Sequence, residues 1–115
     1  MLEKGKRIPN WSIKDVDGKS HDLWDYRQKS HLILLYEPKA TQETRGRWQK
    51  AVQADNKQWA WLDAKVIIVD RAPKDVMPGA YVVDRYGIFL NYFSPGHWTF
   101  DDLERDLVYY EAAHC

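Results

Sequence analysis

Cysteine is almost absent from this 115-residue chain, which carries a single one, Cys115, at its last position. One cysteine cannot form an internal disulfide, which fits a reducing compartment but would also fit a chain that has lost a secretory signal. No stretch approaches the ~20 apolar residues of a membrane-spanning helix, and residues 1–7 lack the apolar run of a secretory signal. We therefore predict a soluble, cytoplasmic protein with no membrane partner.

An excess of either charge is missing as well. The chain has 17 basic and 17 acidic side chains, so its formal net charge is zero. Nucleic acids and anionic membranes attract strongly basic surfaces, and the balance gives no sign of such a partner. We predict no nucleic-acid partner.

Several catalytic and cofactor motifs are also absent from the sequence. It contains no glycine-rich phosphate loop, no Gly-x-Ser-x-Gly turn and no histidine pair at helical spacing. His21, His31 and His97 are scattered singly, and we interpret each as a surface or loop histidine. His114 and Cys115 are adjacent but supply at most two ligands. We predict no metal site and no cofactor.

Apolar segments alternate between short runs and helical spacing, which favours a sheet covered on both faces. Residues 32–36 and 66–69 are short continuous apolar runs, typical of buried parallel strands. Residues 81–83 and 88–93, joined by residues 84–87, predict an antiparallel hairpin. The sequence therefore predicts a mixed sheet.

Helical periodicity marks two segments. Trp48, Val52, Trp59 and Leu62 lie on one face of a single crossover helix that would begin near Thr41. In the closing helix, Thr99 and Asp102 form an acidic version of a capping box. Its inner face would carry the following side chains: Phe100, Leu103, Leu107 and Tyr110.

No repeat, linker or low-complexity segment divides the chain. We predict a single domain over residues 1–115, a length close to the commonest domain size. Within it, residues 1–31 would form an N-terminal hairpin and a short helix, and residues 32–115 would form the core.

Three motifs follow one another in a recognisable order. The first is Ile8-Pro9-Asn10-Trp11-Ser12-Ile13, the second is the strand of residues 32–36 running into Glu37-Pro38-Lys39-Ala40-Thr41, and the third begins Met77-Pro78-Gly79. Together they resemble a peroxiredoxin (AhpC/TSA)-like domain of the thioredoxin-like superfamily. The resemblance implies an α/β thioredoxin-like fold, with a central mixed β-sheet flanked by helices and an N-terminal β-hairpin.

The reactive cysteines of that superfamily have no counterpart here. On the peroxiredoxin pattern Thr41 matches the motif threonine and Thr44 takes the place of the peroxidatic cysteine, whereas on the thioredoxin pattern Ala40 and Glu43 take the two dithiol positions. Neither placement offers a thiol, and hydroxyl groups cannot replace one in peroxide reduction or disulfide exchange.

The start of the crossover helix still attracts anions through its free amide groups and dipole. Lys39, Arg45 and Arg47 surround it, and the hydroxyls of Thr41 and Thr44 could add hydrogen bonds. This pattern predicts a site for a carboxylate, a phosphate or an acidic peptide. The alternative, which we favour, is a solvated basic helix start balanced by neighbouring glutamates.

Pro78 matches the cis-proline position of the resembled superfamily, where the adjacent sheet edge pairs with peptide substrates. A cis bond there would expose the backbone of Met77 for main-chain hydrogen bonds with a partner chain. The alternative is that Pro78 only fixes the loop so that residues 81–83 enter the sheet.

The sequence thus favours a non-catalytic protein- or peptide-binding module. The competing prediction is a thiol-dependent oxidoreductase or antioxidant protein that acts through Cys115 or a partner's thiol. Trp61, Trp98 and Tyr109 lie off the predicted buried faces and are candidates for interface contacts. Both a monomer and a homodimer agree with the sequence.

Overall fold

The computed structural model describes residues 2–113. The strands are β1 (Ser12–Asp15), β2 (Ser20–Asp22), β3 (His31–Tyr36), β4 (Ala64–Arg71), β5 (Gly79–Val83) and β6 (Phe89–Phe93). The helices are α1 (Gln42–Ala54), α2 (Asn56–Trp61) and α3 (Phe100–Ala113), and a 3₁₀ turn spans Leu23–Tyr26.

The six strands form one mixed sheet in the order β2-β1-β4-β3-β5-β6. β3 and β4 are parallel, and every other neighbouring pair is antiparallel. The predicted parallel centre and antiparallel hairpin are confirmed. The N-terminal hairpin joins the same sheet, because β1 pairs with β4.

The two faces of the sheet are covered differently. All three helices pack on the face that includes Ile33 and Leu35, with Trp59, Leu62, Leu103 and Leu107 in the same cluster. The other face carries the N-terminal segment and the loop Ala72–Pro78, which contribute Ile8, Trp11, Leu23 and Val76. Both faces of the sheet are therefore covered, as expected, but the α-helices lie on only one of them. The β4–β5 loop is too short and too rich in proline to form another helix.

The predicted single crossover helix is interrupted. Asp55 adopts a non-helical conformation (φ −107°, ψ 23°) between α1 and α2. Aspartate and asparagine side chains compete for nearby backbone groups and favour helix ends, and Asn56 follows directly. Beyond the break, Trp59 of α2 is still buried in the core.

The closing helix α3 begins as its capping box predicts. The Thr99 amide donates to Asp102 Oδ2 at 2.9 Å, and the Asp102 amide donates to Thr99 Oγ1 at 3.1 Å. Leu103 and Leu107 are buried below it. None of the helices within residues 2–113 is long and apolar enough to cross a membrane.

The β5–β6 turn is built around Asp84. Its Oδ1 accepts hydrogen bonds from the amides of Tyr86 and Ile88 at 2.8 and 2.9 Å. Gly87 adopts φ +81°, a conformation that glycine takes without strain. Next to this turn Val83 lies opposite Phe89, and after a register shift between Val82 and Val83, Tyr81 lies opposite Tyr92.

Candidate functional site

The two segments that carry the predicted binding residues leave the sheet at the same end. Tyr36, the last residue of β3, pairs with Gly79, the first residue of β5. Residues 37–41 and the Met77-Pro78 pair extend from these two positions. The structure therefore brings the start of α1 and the Pro78 loop to one end of the molecule.

At the start of α1, the groups proposed for an anion already have protein partners. Thr41 is the N-cap, and its Oγ1 accepts from the Thr44 amide at 3.1 Å. The Thr44 hydroxyl accepts from both Thr41 and Arg47, at 3.1 and 3.2 Å. Arg45 pairs with Asp70 of β4 at 2.9 Å. Lys39 is exposed in the preceding loop.

Pro78 matches a cis-proline position in sequence but does not have a cis bond, since residues 2–113 contain no cis peptide bond. An X–Pro bond prefers the trans form by about 0.5–1 kcal/mol. The residue after Pro78, Gly79, has a φ of +149°, a conformation that is open to glycine. The Met77 and Pro78 carbonyls accept hydrogen bonds from the hydroxyls of Tyr81 and Tyr92. Each of these two carbonyls therefore already has a hydrogen-bond donor within the chain.

Beside Met77, the face of the sheet without helices contains a cavity of about 530 Å³. We call it the aromatic cavity. Its lining consists of Leu2, Lys4, Pro9, Trp11, Asp75, Met77, Tyr81, Phe89 and Tyr92. The Met77 side chain is 61% exposed, so the cavity opens to solvent next to Pro78.

The aromatic rings of the cavity hold each other in place. Trp11 meets Tyr81 edge-on, with ring centroids 5.5 Å apart and planes at 82°. Tyr81 also contacts Tyr92 at 5.0 Å and Phe89 at 6.3 Å. Aromatic pairs at these distances and angles are mutually attractive. The wall is therefore preformed.

The opposite wall is the N-terminal arm, which is fixed to the edge of β6. The Gly5 amide donates to the Phe89 carbonyl at 2.9 Å, and the Phe89 amide donates to the Lys6 carbonyl at 2.8 Å. The Ile8 amide donates to the Gly87 carbonyl at 2.8 Å. These bonds place Leu2 and Lys4 at the cavity.

Two opposite charges lie at the cavity and both are exposed: Asp75 and Lys4. Neither takes part in an ion pair with any residue in the described part of the chain. Burial, together with the neighbouring Tyr92, raises the pKa of Tyr81, so this phenol stays neutral at physiological pH. The aromatic cavity is thus apolar inside and charged at its rim.

The aromatic cavity was not predicted from the sequence, although Met77 of its lining and the adjoining Pro78 were predicted as binding residues. The hairpin gave only part of the signal: counting back from its turn pairs Tyr81 with Leu90, whereas the structure, with a register shift between Val82 and Val83, places Tyr81 opposite Tyr92. The contribution of Trp11 has no local signal, since it comes from a segment far away in sequence.

Two histidines expected at the surface are engaged in clusters. His31 is fully buried, with Nε2 2.5 Å from Glu111 Oε1, and Arg85 donates to the same carboxylate oxygen at 2.6 Å. The hydrogen bond from His31, against the opposing effect of burial and with help from Arg85, lowers the pKa of Glu111. The pair joins the end of α3 to the start of β3, at the end of the sheet opposite Pro78.

His21 lies between Asp15 Oδ2 and the Tyr26 hydroxyl, each at 2.7 Å. Although partial burial acts in the other direction, hydrogen bonds from His21 and nearby amides lower the pKa of Asp15. Burial and the Asp15 charge raise the pKa of Tyr26, so this triad fixes the 3₁₀ turn on the hairpin and does not activate the phenol. His97 is exposed, as predicted.

Neither of these clusters resembles a metal centre. Within residues 2–113, no group of three or more His, Cys, Asp or Glu side chains is arranged to hold a metal ion. Cys115, which the sequence offers as a redox candidate, lies outside the described residues.

No protein-family model matches the chain, and no curated protein sequence matches it. Solved structures do. The mitochondrial 2-Cys peroxiredoxin from Plasmodium falciparum superposes with a TM-score of 0.74 at 10% identity, over 97% of this chain and 96% of that one. A protein assigned as the thiol:disulfide interchange protein DsbE from Chlorobium tepidum gives 0.63 at 17% identity, over 95% and 98%. The chain therefore has the thioredoxin-like fold.

Proposed function

We propose that the protein is a non-catalytic binding module that takes a peptide or a protein segment in the aromatic cavity. The observation that carries this proposal is the position of the cavity, which opens beside Met77 and Pro78 at the end of the sheet where α1 also begins. Its volume of about 530 Å³ and its largely apolar lining are typical of ligand sites.

Thiol chemistry receives less support. Both structural neighbours are named for it, but here the positions that resemble the superfamily's cysteines are occupied by Thr41 and Thr44, or by Ala40 and Glu43, according to the placement. A hydroxyl or a carboxylate does not form the thiolate on which that chemistry depends. The remaining thiol, Cys115, follows the end of α3 by two residues. The proposal therefore assigns no role to sulfur.

Exposure of the cavity rim makes the proposal testable by substitution. Because Met77 is 61% exposed, a charge introduced there disturbs the opening while leaving the buried rings in place. Trp61 is 73% exposed at the end of α2 and does not line the cavity. Met77→Glu and Trp61→Glu therefore make a matched pair: each replaces an exposed apolar side chain with a carboxylate.

The experiment is a selection of random displayed peptides against the purified protein, followed by affinity measurements by isothermal titration calorimetry. We expect selected peptides to bind wild type, Trp61→Glu and Cys115→Ser equally, and to lose at least about tenfold in affinity with Met77→Glu. Binding that disappears in Cys115→Ser would favour the oxidoreductase alternative. If no selected peptide responds to Met77→Glu, the proposal is wrong.

A further inference from the structure

We infer that the ligand of the aromatic cavity is a proline-rich peptide in the polyproline II conformation with a basic residue placed against Asp75. This inference rests on the proposed function and specifies its ligand. A protein can hold a peptide by adding it as a strand or by side-chain contacts, and the main-chain hydrogen bonds at the cavity bear on this choice.

Addition of a partner strand requires a row of free main-chain groups, and several of those at the cavity are already bonded. The Met77 and Pro78 carbonyls accept from tyrosine hydroxyls. The outer edge of β6 is bonded to the N-terminal arm at Phe89, and the Tyr92 amide donates to the Asn91 side chain at 2.9 Å. These bonds favour recognition through side-chain contacts over the addition of a strand.

A polyproline II segment fits these conditions. Its prolines have no N–H groups, so entering an apolar site leaves few donors without a partner. It is extended and already stiff before binding, which reduces the entropy lost on association. Grooves lined with aromatic side chains are the recurring binding sites for such segments. Here Tyr92 provides a half-buried ring, Trp11, Tyr81 and Phe89 contribute the buried part of the lining, and exposed Pro9 extends it.

The charges at the rim of the cavity favour one type of residue next to the prolines of the peptide. Asp75 attracts a basic side chain, and aromatic rings also attract cations because their faces carry negative potential. Lys4 opposes this preference from the N-terminal arm, but it is exposed and belongs to a long, flexible side chain. Two features favour a cation and one favours an anion, so we assign the peptide a lysine or arginine beside its prolines.

Three fluorescent peptides test the inference in anisotropy titrations: one arginine followed by six prolines, the same arginine followed by six alanines, and one glutamate followed by six prolines. We expect the arginine–proline peptide to bind at least about tenfold more tightly than the alanine peptide, since only the former is preordered. It should also exceed the glutamate–proline peptide by about two- to fivefold, the effect of one exposed charge pair.

Two variants identify the charges responsible. Asp75→Asn should abolish the preference for arginine over glutamate, whereas Lys4→Gln should increase it by about two- to fivefold. Equal binding of the arginine and glutamate peptides to wild type would overturn the assigned charge. Both variants change exposed side chains without ion-pair partners among residues 2–113, so each should keep the fold.

Failure of the inference can be separated from failure of the proposed function. If peptides without proline bind in a Met77-dependent way and the arginine–proline peptide binds no more tightly than its alanine counterpart, the module is a peptide binder but the polyproline assignment is wrong. If no peptide of either kind depends on Met77, both proposals are wrong. Proline-dependent binding that Met77→Glu weakens supports both.

Discussion

Glu104 of α3 lies beside Asp55, the residue at the break between α1 and α2. Burial, with a hydrogen bond to Asp55 and repulsion from its charge, raises the pKa of Glu104 from 4.5 to about 7. The folded protein therefore keeps a proton on Glu104 in a pH range where the unfolded chain has lost it. Since the folded state binds more protons between these two values, this carboxyl makes stability fall as the pH rises through that range.

We predict that Glu104→Gln removes this loss of stability at higher pH. The variant should have a higher free energy of unfolding than wild type at pH 8, and the difference should shrink as the pH falls toward 4.5, the usual value for a glutamate. Urea unfolding at several pH values measures it. Glu3→Gln, at an exposed position, controls for the loss of one charge. A constant difference at every pH would contradict the prediction.

The pKa of Glu111 is shifted in the opposite direction from that of Glu104. Its pKa is lowered by the hydrogen bond from buried His31 and by Arg85, so its charged form stabilises the folded state above pH 4.5, and this contribution is lost as the pH falls through the lowered pKa. We predict that Glu111→Gln lowers the free energy of unfolding by about 1 kcal/mol at pH 7, because hydrogen bonds to a charged group are the stronger ones.

Urea unfolding across pH also checks this second variant, with the opposite sign from Glu104→Gln. The destabilisation should diminish in acid, where the wild-type carboxylate becomes protonated. An effect of the same size at pH 3 and pH 7 would show that the charge of Glu111 does not hold α3 against His31.

At the scale of elements, the start of β5 depends on a single glycine. A Cβ at Gly79 would lie 2.4 Å from Tyr92 Cε1 and 2.5 Å from the Phe93 carbonyl oxygen of β6. We predict that Gly79→Ala costs about 2–4 kcal/mol of stability and weakens peptide binding, since the Tyr92 ring and the β5–β6 pairing must shift. Thermal unfolding and the anisotropy titration measure the two effects.

Gly18 provides the matched control, because it also has a positive φ of +86° but a Cβ there meets nothing within 4 Å. Gly18→Ala should cost only about 1–2 kcal/mol, the strain of the backbone conformation itself, and should leave peptide binding unchanged. Equal losses of binding in both variants would contradict the claim that Gly79 positions the Tyr92 wall.

The sequence predicted elements well where the signal was local. The capping box located the start of α3, and apolar runs located β3 and β4, because these patterns depend on neighbours within a few residues. The break at Asp55 was missed since the apolar stripe continues through it with helical spacing. Hydrophobic periodicity indicates which side chains face the core, but it does not indicate where a helix is interrupted.

At the scale of the whole molecule, the sheet couples its two sides. Leu32 and Leu34 of β3 face the N-terminal segment, whereas Ile33 and Leu35 face the helices. Because both apolar clusters use the same strands, neither can lose its packing alone. We predict that the chain unfolds as one cooperative unit, as small single domains usually do.

Trp11 and Trp59 report on the two sides separately, since each belongs to a different cluster. Fluorine NMR of protein labelled with 5-fluorotryptophan should give the same urea midpoint for both signals. An earlier midpoint for Trp11 would mean that the N-terminal hairpin and short helix unfold independently of the core.

By itself, the sequence determined that the positions after β3 carry no thiol, and it indicated which fold to expect. The start of the helix after β3 has no thiol in any alignment, and the order of strands, turns and caps follows from local pattern. Only the tertiary structure decided the aromatic cavity, the burial of His31 and the close approach of Gly79 to Tyr92. Each depends on which distant segments meet and in what register, as when Trp11 meets Tyr81, and spacing along the chain does not fix those distances.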